Sequence, residues 1–511
     1  MTETVEPGAQ GSVSSKVHDL EAVFRSSDAA GTDAVGTVES HGIDVIPEAE
    51  RHGSPRSLFS FWFGSNIIFT YLLVGGILVQ LGLSLPVALA LAILANTLWT
   101  LVGVLSVPGP RTGTSNMVVS RAQYGLKGNK LSCALSWVVN VGYEGVDFAI
   151  AALAAFSLAA YAGWHLGTLG KTVILLVIIA VSFAIGLYGH ATIFLFQKVF
   201  AWALGGATIL FAIFLLPHVK FGYHPAALHG NALTAAVLIG LSVVLSGPLS
   251  YPIGSDYSRY LPAATSAKKI VWFTAFGGYI PTVVLTVIGI LAATAVDPSD
   301  FTTTIRAVVP GWFYPVFLII IIAGMICNSI LSVYSSGLAL QALGVPLARS
   351  KTVWIDVVFG TALAVYGVLI ASNFLTTLEN FLLWSVYWYA PFFGIYVVEI
   401  IRSRGWYNGH ELHDVTGRYW YSKGYRWRGV AALVLGMVFS AVTSNTPYFK
   451  GPVSTHLLNG GDISAVGGFL VGGLAYWLLC VLPSRAEPDR TAVPPSPAAS
   501  HRLPETKHAQ A

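Results

Sequence analysis

Apolar runs follow one another from residue 57 to residue 482, separated by short polar stretches. A helix crossing about 30 Å of hydrocarbon needs about 20 apolar residues. Twelve such spans are expected, near 57–81, 83–107, 131–162, 172–189, 193–216, 233–254, 270–295, 312–343, 353–372, 376–401, 429–445 and 463–482. The third and eighth exceed about 25 residues, so both are expected to tilt or to extend beyond the bilayer. Two of the runs are interrupted. In the sixth, SGPLSYPIGSDYSRYLP (Ser246 to Pro262), Gly247, Pro248, Pro252 and Gly254 break an otherwise apolar stretch. In the first, FWFGSNI (Phe61 to Ile67), Gly64, Ser65 and Asn66 place small and polar residues among aromatic ones. Broken backbone at membrane depth persists only where protein or a water-filled cavity surrounds it. Paired breaks in corresponding halves point to the midplane site of a secondary transporter. A proline kink and small-residue helix packing are the alternatives for the two segments taken singly.

The polar ends frame these runs. Residues 1–55 are rich in Gly, Ser, Thr and acids and hold no apolar h-region, so a disordered cytoplasmic tail is expected rather than a signal peptide. Residues 56–483 are expected to form the transporter domain, and 484–511, with PPSPAAS, a second disordered cytoplasmic tail. Composition agrees: 54% of the 511 residues are hydrophobic and 10% charged, against about 25% charged in soluble domains. The chain is expected to be an all-α integral membrane protein whose partners are the lipid bilayer and a small molecule. The net charge of +4 lies in loops and implies no nucleic-acid partner.

Loop charges set the orientation. With the N-terminus inside, cytoplasmic loops hold Arg111, Arg121, Lys127, Lys130, Arg259, Lys268, Lys269, Arg349, Lys351, Arg402, Arg404, Arg418, Lys423, Arg426 and Arg428; the opposite loops hold Lys171, Lys220, Arg306 and Lys450. Both termini are therefore expected in the cytoplasm and the protein in the plasma membrane.

Ionisable residues inside spans are costly and mark function. Glu144 and Asp147 lie in GYEGVDFAIAA of the third span. Tyr143 and Asp147, four apart, share a helix face, and Glu144 is close by. A ring and a carboxylate on one face suit a flat heterocycle with N–H donors, and either carboxylate could carry a coupling proton; a structural ion pair is the alternative. In the eighth span, CNSILSVYSSGLALQALG, Asn328 and Ser332 share a face, and the Asn amide offers both donor and acceptor. Inter-helix hydrogen bonding is favoured for Ser335 and Ser336. Asp256 and Arg259, three apart after the sixth-span break, are read as a gate or structural clasp, paired with each other or with the basic loop after the second span. Asp356, Glu379 and Glu399 lie near span ends, where snorkelling or loop pairing suffices.

Cys133, Cys327 and Cys480 form neither a metal pattern nor a disulfide framework. His190, His218 and His224 form no spaced metal cluster, and HELH in the loop from Gly409 to Gly429 lacks zinc-protease spacing. No metal, other cofactor or enzyme activity is expected; a membrane receptor or enzyme is a distant alternative.

At GPRTGTSNMVVSRAQYGLKGN (Gly109 to Asn129), SDYSRYLP and YSSGLALQALG, the chain resembles the nucleobase:cation symporter-1 family in its purine–cytosine permease branch. The likeness runs from about Ser57 to Pro483. It implies a five-plus-five inverted repeat similar to the leucine-transporter fold, with two further C-terminal helices. It also implies substrate held between spans one, three, six and eight. A Gly-Trp followed by Asn or Gln is usual in the family's third span; Gly142-Tyr143 and Asp147 stand at those positions. Tyr251 is the ring nearest the usual span-six aromatic. In the eighth span Asn328 and Tyr334-Ser335 are kept, while Leu331 and Ser332 replace a Pro-Asn pair. Sodium-coupled relatives use span-eight hydroxyls, and IIIIAGMIC before Asn328 has none, which favours a proton over sodium. The expected function is symport of cytosine or a purine. The alternative cargo is another nitrogen heterocycle such as a hydantoin, a ureide or a vitamin. Substrate contacts are expected at Ser65, Asn66, Tyr143, Asp147, Gly247, Ser250, Tyr251, Asn328 and Ser332, and ion coupling at Glu144 and Asp147. The sequence sets no oligomeric state.

Overall fold

The computed structural model describes Gly36, Glu39 and residues 41–188, 190–223, 228–371 and 373–484. Most of both expected tails, and His224, lie outside these residues. The described chain is nearly all helix, with no strand beyond two isolated bridges. Ten of its helices are long and apolar enough to cross a membrane, and eleven spans result when one bent pair is counted as a single span.

The bent pair is α1 (Pro55–Ser65) and α2 (Phe69–Gln80), which meet at 58°. There follow α3 (Leu85–Thr112), α4 (Lys130–Tyr161), α5 (Thr168–Gly186) and α6 (His190–His218). The next span divides into α7 (Gly230–Leu249) and the short α8 (Gly254–Ser258). Then come α9 (Ala267–Ala292), α10 (Phe313–Leu343), α11 (Arg349–Ile370) and α12 (Phe374–Ser403). The last two are α13 (Trp427–Thr443) and α14 (Ser464–Val481). At 17 residues α13, which occupies the expected eleventh span, is short of the roughly 20 residues that span the hydrocarbon. The expected twelve spans are thus met for eleven by length and hydropathy.

Two interior helices hold the centre. At 1.5 Å per residue, α4 and α10 are each about 45–48 Å long, longer than the hydrocarbon, and they pack against each other along their length. Around them, helices approach closely where side chains are missing. A Cβ on Gly289 of α9 would fall 2.2 Å from the Leu72 carbonyl oxygen of α2, and one on Gly75 of α2 would fall 2.3 Å from that of Thr286. Small residues allow such backbone contact between membrane helices.

Both breaks lie slightly C-terminal to the first glycine that signals each. The first helix runs through Gly64 and Ser65 and opens at Asn66–Ile68; the sixth-span helix runs through Gly247 and Pro248 and opens at 250–253. Asn66 closes the first break, donating to the Trp62 carbonyl at 2.8 Å and accepting from the Tyr71 hydroxyl at 3.0 Å. Beyond the second break, α8 is bound to α3: Ser255 Oγ donates to Leu105 O at 2.7 Å and Ser258 Oγ to Ser106 O at 2.6 Å.

The described part of the N-terminal segment packs onto this end of the bundle. Ile46 is fully buried. Its amide donates to Gly113 O at 3.0 Å, Thr114 Oγ1 donates to Ile43 O at 2.6 Å, and the His52 amide donates to Tyr260 O at 2.6 Å. The loop before α13 docks nearby, with the Arg426 amide donating to Tyr124 O at 2.8 Å and Tyr421 Oη to Ala122 O at 2.8 Å.

Candidate functional site

Beside the two breaks, α4, α7 and α10 bring polar groups together in an apolar interior. Asp147 of α4 is 1% exposed. Its Oδ2 accepts from Asn328 Nδ2 of α10 at 2.8 Å, while Oδ1 has no protein partner. The Asn328 carbonyl oxygen in turn receives the Tyr251 hydroxyl at 3.5 Å. Tyr251 sits in the second break, tilted against Trp99 at 5.1 Å and edge-on to Trp62 at 5.5 Å. Tyr143, one turn before Asp147, packs edge-on against Phe381 of α12 at 4.9 Å. Its hydroxyl lies beside Ser250 and Ser385 without completing a hydrogen bond. The Tyr389 hydroxyl of α12 is likewise buried and uncommitted.

This arrangement can bind a small, flat, polar molecule. Apolar rings supply stacking surfaces. A carboxylate oxygen and two phenol hydroxyls retain hydrogen-bonding capacity that the protein does not use. Buried polar groups without partners are costly, and a ligand hydrogen-bonded here would complete the set.

Five of the expected contact residues, Tyr143, Asp147, Ser250, Tyr251 and Asn328, thus fall at this locus. Ser332, one turn beyond Asn328, is buried on the same helix. Ser65 and Asn66 both donate to the Trp62 carbonyl, at 3.2 and 2.8 Å, so their polar groups serve the break itself. Gly247 makes room for the Tyr71 ring, whose Cε1 would lie 3.0 Å from an added Cβ. Ser250 Oγ is turned back to the Gly247 carbonyl at 2.7 Å.

Glu144 faces another way. Its carboxylate lies against α11, 3.3 Å from where a Cβ on Gly360 would stand. Asp356, expected to snorkel at a span end, is instead fully buried: α11 begins at Arg349, two turns earlier, and carries it inside. It accepts from Trp137 Nε1 and Ser336 Oγ, both at 2.7 Å.

The two residues after the second break do not pair with each other. Asp256 accepts the Asn116 amide at 2.8 Å, in the segment after α3. Arg259 pairs with Glu39 at 2.5 Å and donates to Tyr334 Oη at 2.7 Å and to the Gly42 carbonyl. Burial would raise the Glu39 carboxyl, but the charges of Arg259 and Arg349 and hydrogen bonds from Tyr260 and Tyr334 outweigh it and hold it below its ordinary value.

The family of permeases for cytosine and purines, uracil, thiamine and allantoin matches residues 45–472. The chain belongs to that family. It is 30% identical over 462 residues to YxlA of Bacillus subtilis (strain 168), provisionally named a purine-cytosine permease, covering 86% of this chain and 96% of that one. It is 26% identical over 481 residues to the purine-cytosine permease fcyB of Emericella nidulans, covering 87% and 88%. In fold it is similar to Mhp1, a nucleobase-cation-symport-1 family transporter solved in a closed conformation with bromovinylhydantoin bound. The TM-score is 0.68 at 16% identity, over 88% of this chain and 96% of that one. The protein is a multi-pass membrane transporter and not an enzyme.

Trp62, Trp99 and Tyr389 were not legible as site residues, because an aromatic ring in an apolar run reads equally as core or lipid contact. The position of Trp62, two residues before the Gly64–Asn66 interruption, was the available signal.

Proposed function

We propose that this protein is a cell-membrane symporter that imports a nucleobase, cytosine or a purine, together with a proton, by alternating access. Asp147 and Asn328 read the polar edge of the base, and the Tyr143 ring stacks on it. The reading rests on one observation above the others: a buried carboxylate with one oxygen fixed by an amide at 2.8 Å and the other uncommitted, below a tyrosine on the same helix face. The free oxygen accepts a ring N–H or exocyclic amine, and the same carboxylate, once protonated, presents a donor instead.

A proton is favoured over sodium by what α10 offers the first break. Where the two approach, a Cβ on Gly324 would lie 3.3 Å from the Ile67 carbonyl, and residues 319–327 carry no hydroxyl to join it around a hard cation. The basic residues gathered on one set of loops favour both termini in the cytoplasm.

A second reading keeps the fold and changes the cargo to another nitrogen heterocycle. It is favoured by the hydantoin bound in Mhp1 and by an aspartate at a position where relatives usually carry an amide. Uptake of labelled cytosine into cells lacking their own nucleobase transporters tests both. Saturable uptake that adenine or hypoxanthine blocks, that a protonophore abolishes and that sodium removal spares supports the first. Absence of uptake of any nucleobase by well-expressed protein refutes it and leaves the second.

A further inference from the structure

A second group of carboxyls lies in the membrane interior, on the side of α4 turned toward α11. Glu144 is 0% exposed and neither carboxyl oxygen has a protein partner. It lies over Gly360, one turn from Asp356 on α11, and the close contact there follows from Gly145, where an added Cβ would stand 2.7 Å from Leu363 Cβ. Asp356, also 0% exposed, is unlike it: Trp137 Nε1 and Ser336 Oγ both donate to it at 2.7 Å. Ser336 is also the polar side chain beside Glu144, and its one hydrogen is given toward Asp356 and the Val333 carbonyl. Its lone pairs are therefore turned to acceptance.

Among the described residues, no cation balances this pair. From α4 the nearest other charged group is Asp147, and α10 contributes only the Ser336 hydroxyl. The α5 sequence from 172 to 186 has no charged residue. Arg349 lies two turns before Asp356 on α11, but its guanidinium donates to the carbonyls of Gly186, Leu187 and Tyr188 at 3.2, 2.9 and 2.9 Å. Two ionised carboxylates without a counter-ion at this depth would cost many kcal/mol. One proton shared by the pair removes most of that cost.

We propose that Glu144 and Asp356, bridged by Ser336, form a proton-binding site distinct from the substrate site. In it Glu144 holds the proton and Asp356, with two donors, holds the charge. The Glu144 hydroxyl donates to Ser336 Oγ, and Ser336 donates to Asp356. Transfer across the pair breaks the Glu144 O–H bond as Ser336 Oγ takes that proton and breaks the Ser336 O–H bond as Asp356 takes the other, leaving Glu144 ionised, Ser336 neutral and Asp356 protonated. The site serves as the station for the co-transported proton; this last step rests on the symport reading above, whereas proton binding does not.

Infrared spectroscopy of the purified full-length protein in lipid bilayers, titrated through the neutral range without substrate, tests the site directly. The wild type is expected to show the carbonyl band of a buried protonated carboxylic acid, and Glu144→Gln to lose it. Asp147→Asn, the control on the substrate carboxylate, is expected to keep the band. Asp356→Asn, which removes the neighbouring charge and covers the case of a Glu144 variant that does not fold, is expected to move the band's titration midpoint to lower pH. A band that survives Glu144→Gln, or a midpoint that Asp356→Asn leaves in place, overturns the proposal. For the coupling step, accumulation of labelled cytosine driven by an imposed pH gradient in liposomes is expected to fall at least tenfold in Glu144→Gln. Undiminished accumulation overturns that step. Failure of the wild type to carry cytosine counts against the substrate reading alone, since the infrared result stands without it.

Discussion

The Glu39–Arg259 pair makes a quantitative prediction about how the N-terminal segment closes one end of the bundle. Arg259 is 0% exposed on its side chain and Glu39 is 3% exposed. In Glu39→Gln the guanidinium keeps the Tyr334 hydroxyl and the Gly42 carbonyl but loses its counter-charge. Removing one member of a buried pair costs about 3–5 kcal/mol; two remaining acceptors put the expected cost at the low end, about 3 kcal/mol. The rest of the segment is held by a few hydrogen bonds at roughly 1 kcal/mol each and by burial of Ile46, about 1.5–3 kcal/mol. The loss is therefore comparable to half of what docks the segment. At about 1.4 kcal/mol per tenfold, its opening should become roughly 100-fold more frequent. Amide hydrogen exchange reads this at Ile46, whose N–H is given to Gly113, and at His52, whose N–H is given to Tyr260. Protection at both should fall by about two orders of magnitude, while the α4 and α10 interiors stay protected. The pH dependence has a definite sign. A carboxyl held below its ordinary value of 4.5 in the folded state contributes stability that is fully present above that value and is lost only as pH falls through the lower, folded one. Wild-type protection beyond the intrinsic rate should thus be flat from pH 8 to about 5 and decline in stronger acid, and the variant should lack that decline. Protection within threefold of wild type at neutral pH would refute the reasoning.

Other perturbations separate packing from chemistry. Gly289→Ala sets a methyl against a backbone oxygen 2.2 Å away that cannot rotate aside, so a loss of about 1–3 kcal/mol or more and a lower thermal midpoint are expected; an unchanged midpoint would contradict the close α2–α9 contact. Asp147→Asn, which removes the carboxylate proposed to read the base, is expected to abolish accumulation of labelled cytosine, measured as the ratio of internal to external label, and undiminished accumulation would remove that role. Burial, reinforced by the charge of Arg121, pushes the His413 imidazole down to about 3, so it stays neutral at every physiological pH. His413→Gln should therefore leave the pH profile of uptake unmoved between pH 5 and 8, and a shifted profile would show that this loop titrates after all.

What the sequence disclosed follows from which interactions are local. Hydropathy is summed over a span, so the helices were placed to within a few residues, and polar residues such as Asp147 and Asn328 stood out against an apolar background. The opening of the sixth span was legible as a break but not as residues 250–253. Pro248 removes one donor, yet the turn around it still closes through Ser250 N–H to the Ser246 carbonyl at 3.0 Å, and the chain leaves the helix only afterwards. Glu39 was not legible, because it lies in a polar stretch without periodicity and its partner is 220 residues away. Asp356 was misplaced for a related reason. Near the start of an apolar run, burial and snorkelling give the same pattern, and only the extra turn from Arg349 onward decides between them.

The positions of Tyr143, Glu144 and Asp147 on one helix carry the last step. At about 100° per residue, Tyr143 and Asp147 are about 40° apart around α4, and Glu144 is about 60° from Asp147 on its other side. One rigid rod therefore presents the substrate ring and carboxylate toward α7 and α10, and the unpartnered carboxyl toward α11. Asp147 and Glu144 are only about 4.5 Å apart along the axis. If Asp147 binds a base as proposed, a tilt of α4 that tightens it there also shifts Glu144 against Gly360, because the backbone between them is helical throughout. On the proposed reading, coupling of substrate to proton needs no long relay. It needs only that α4 shift against α11, the helix it meets beside Glu144.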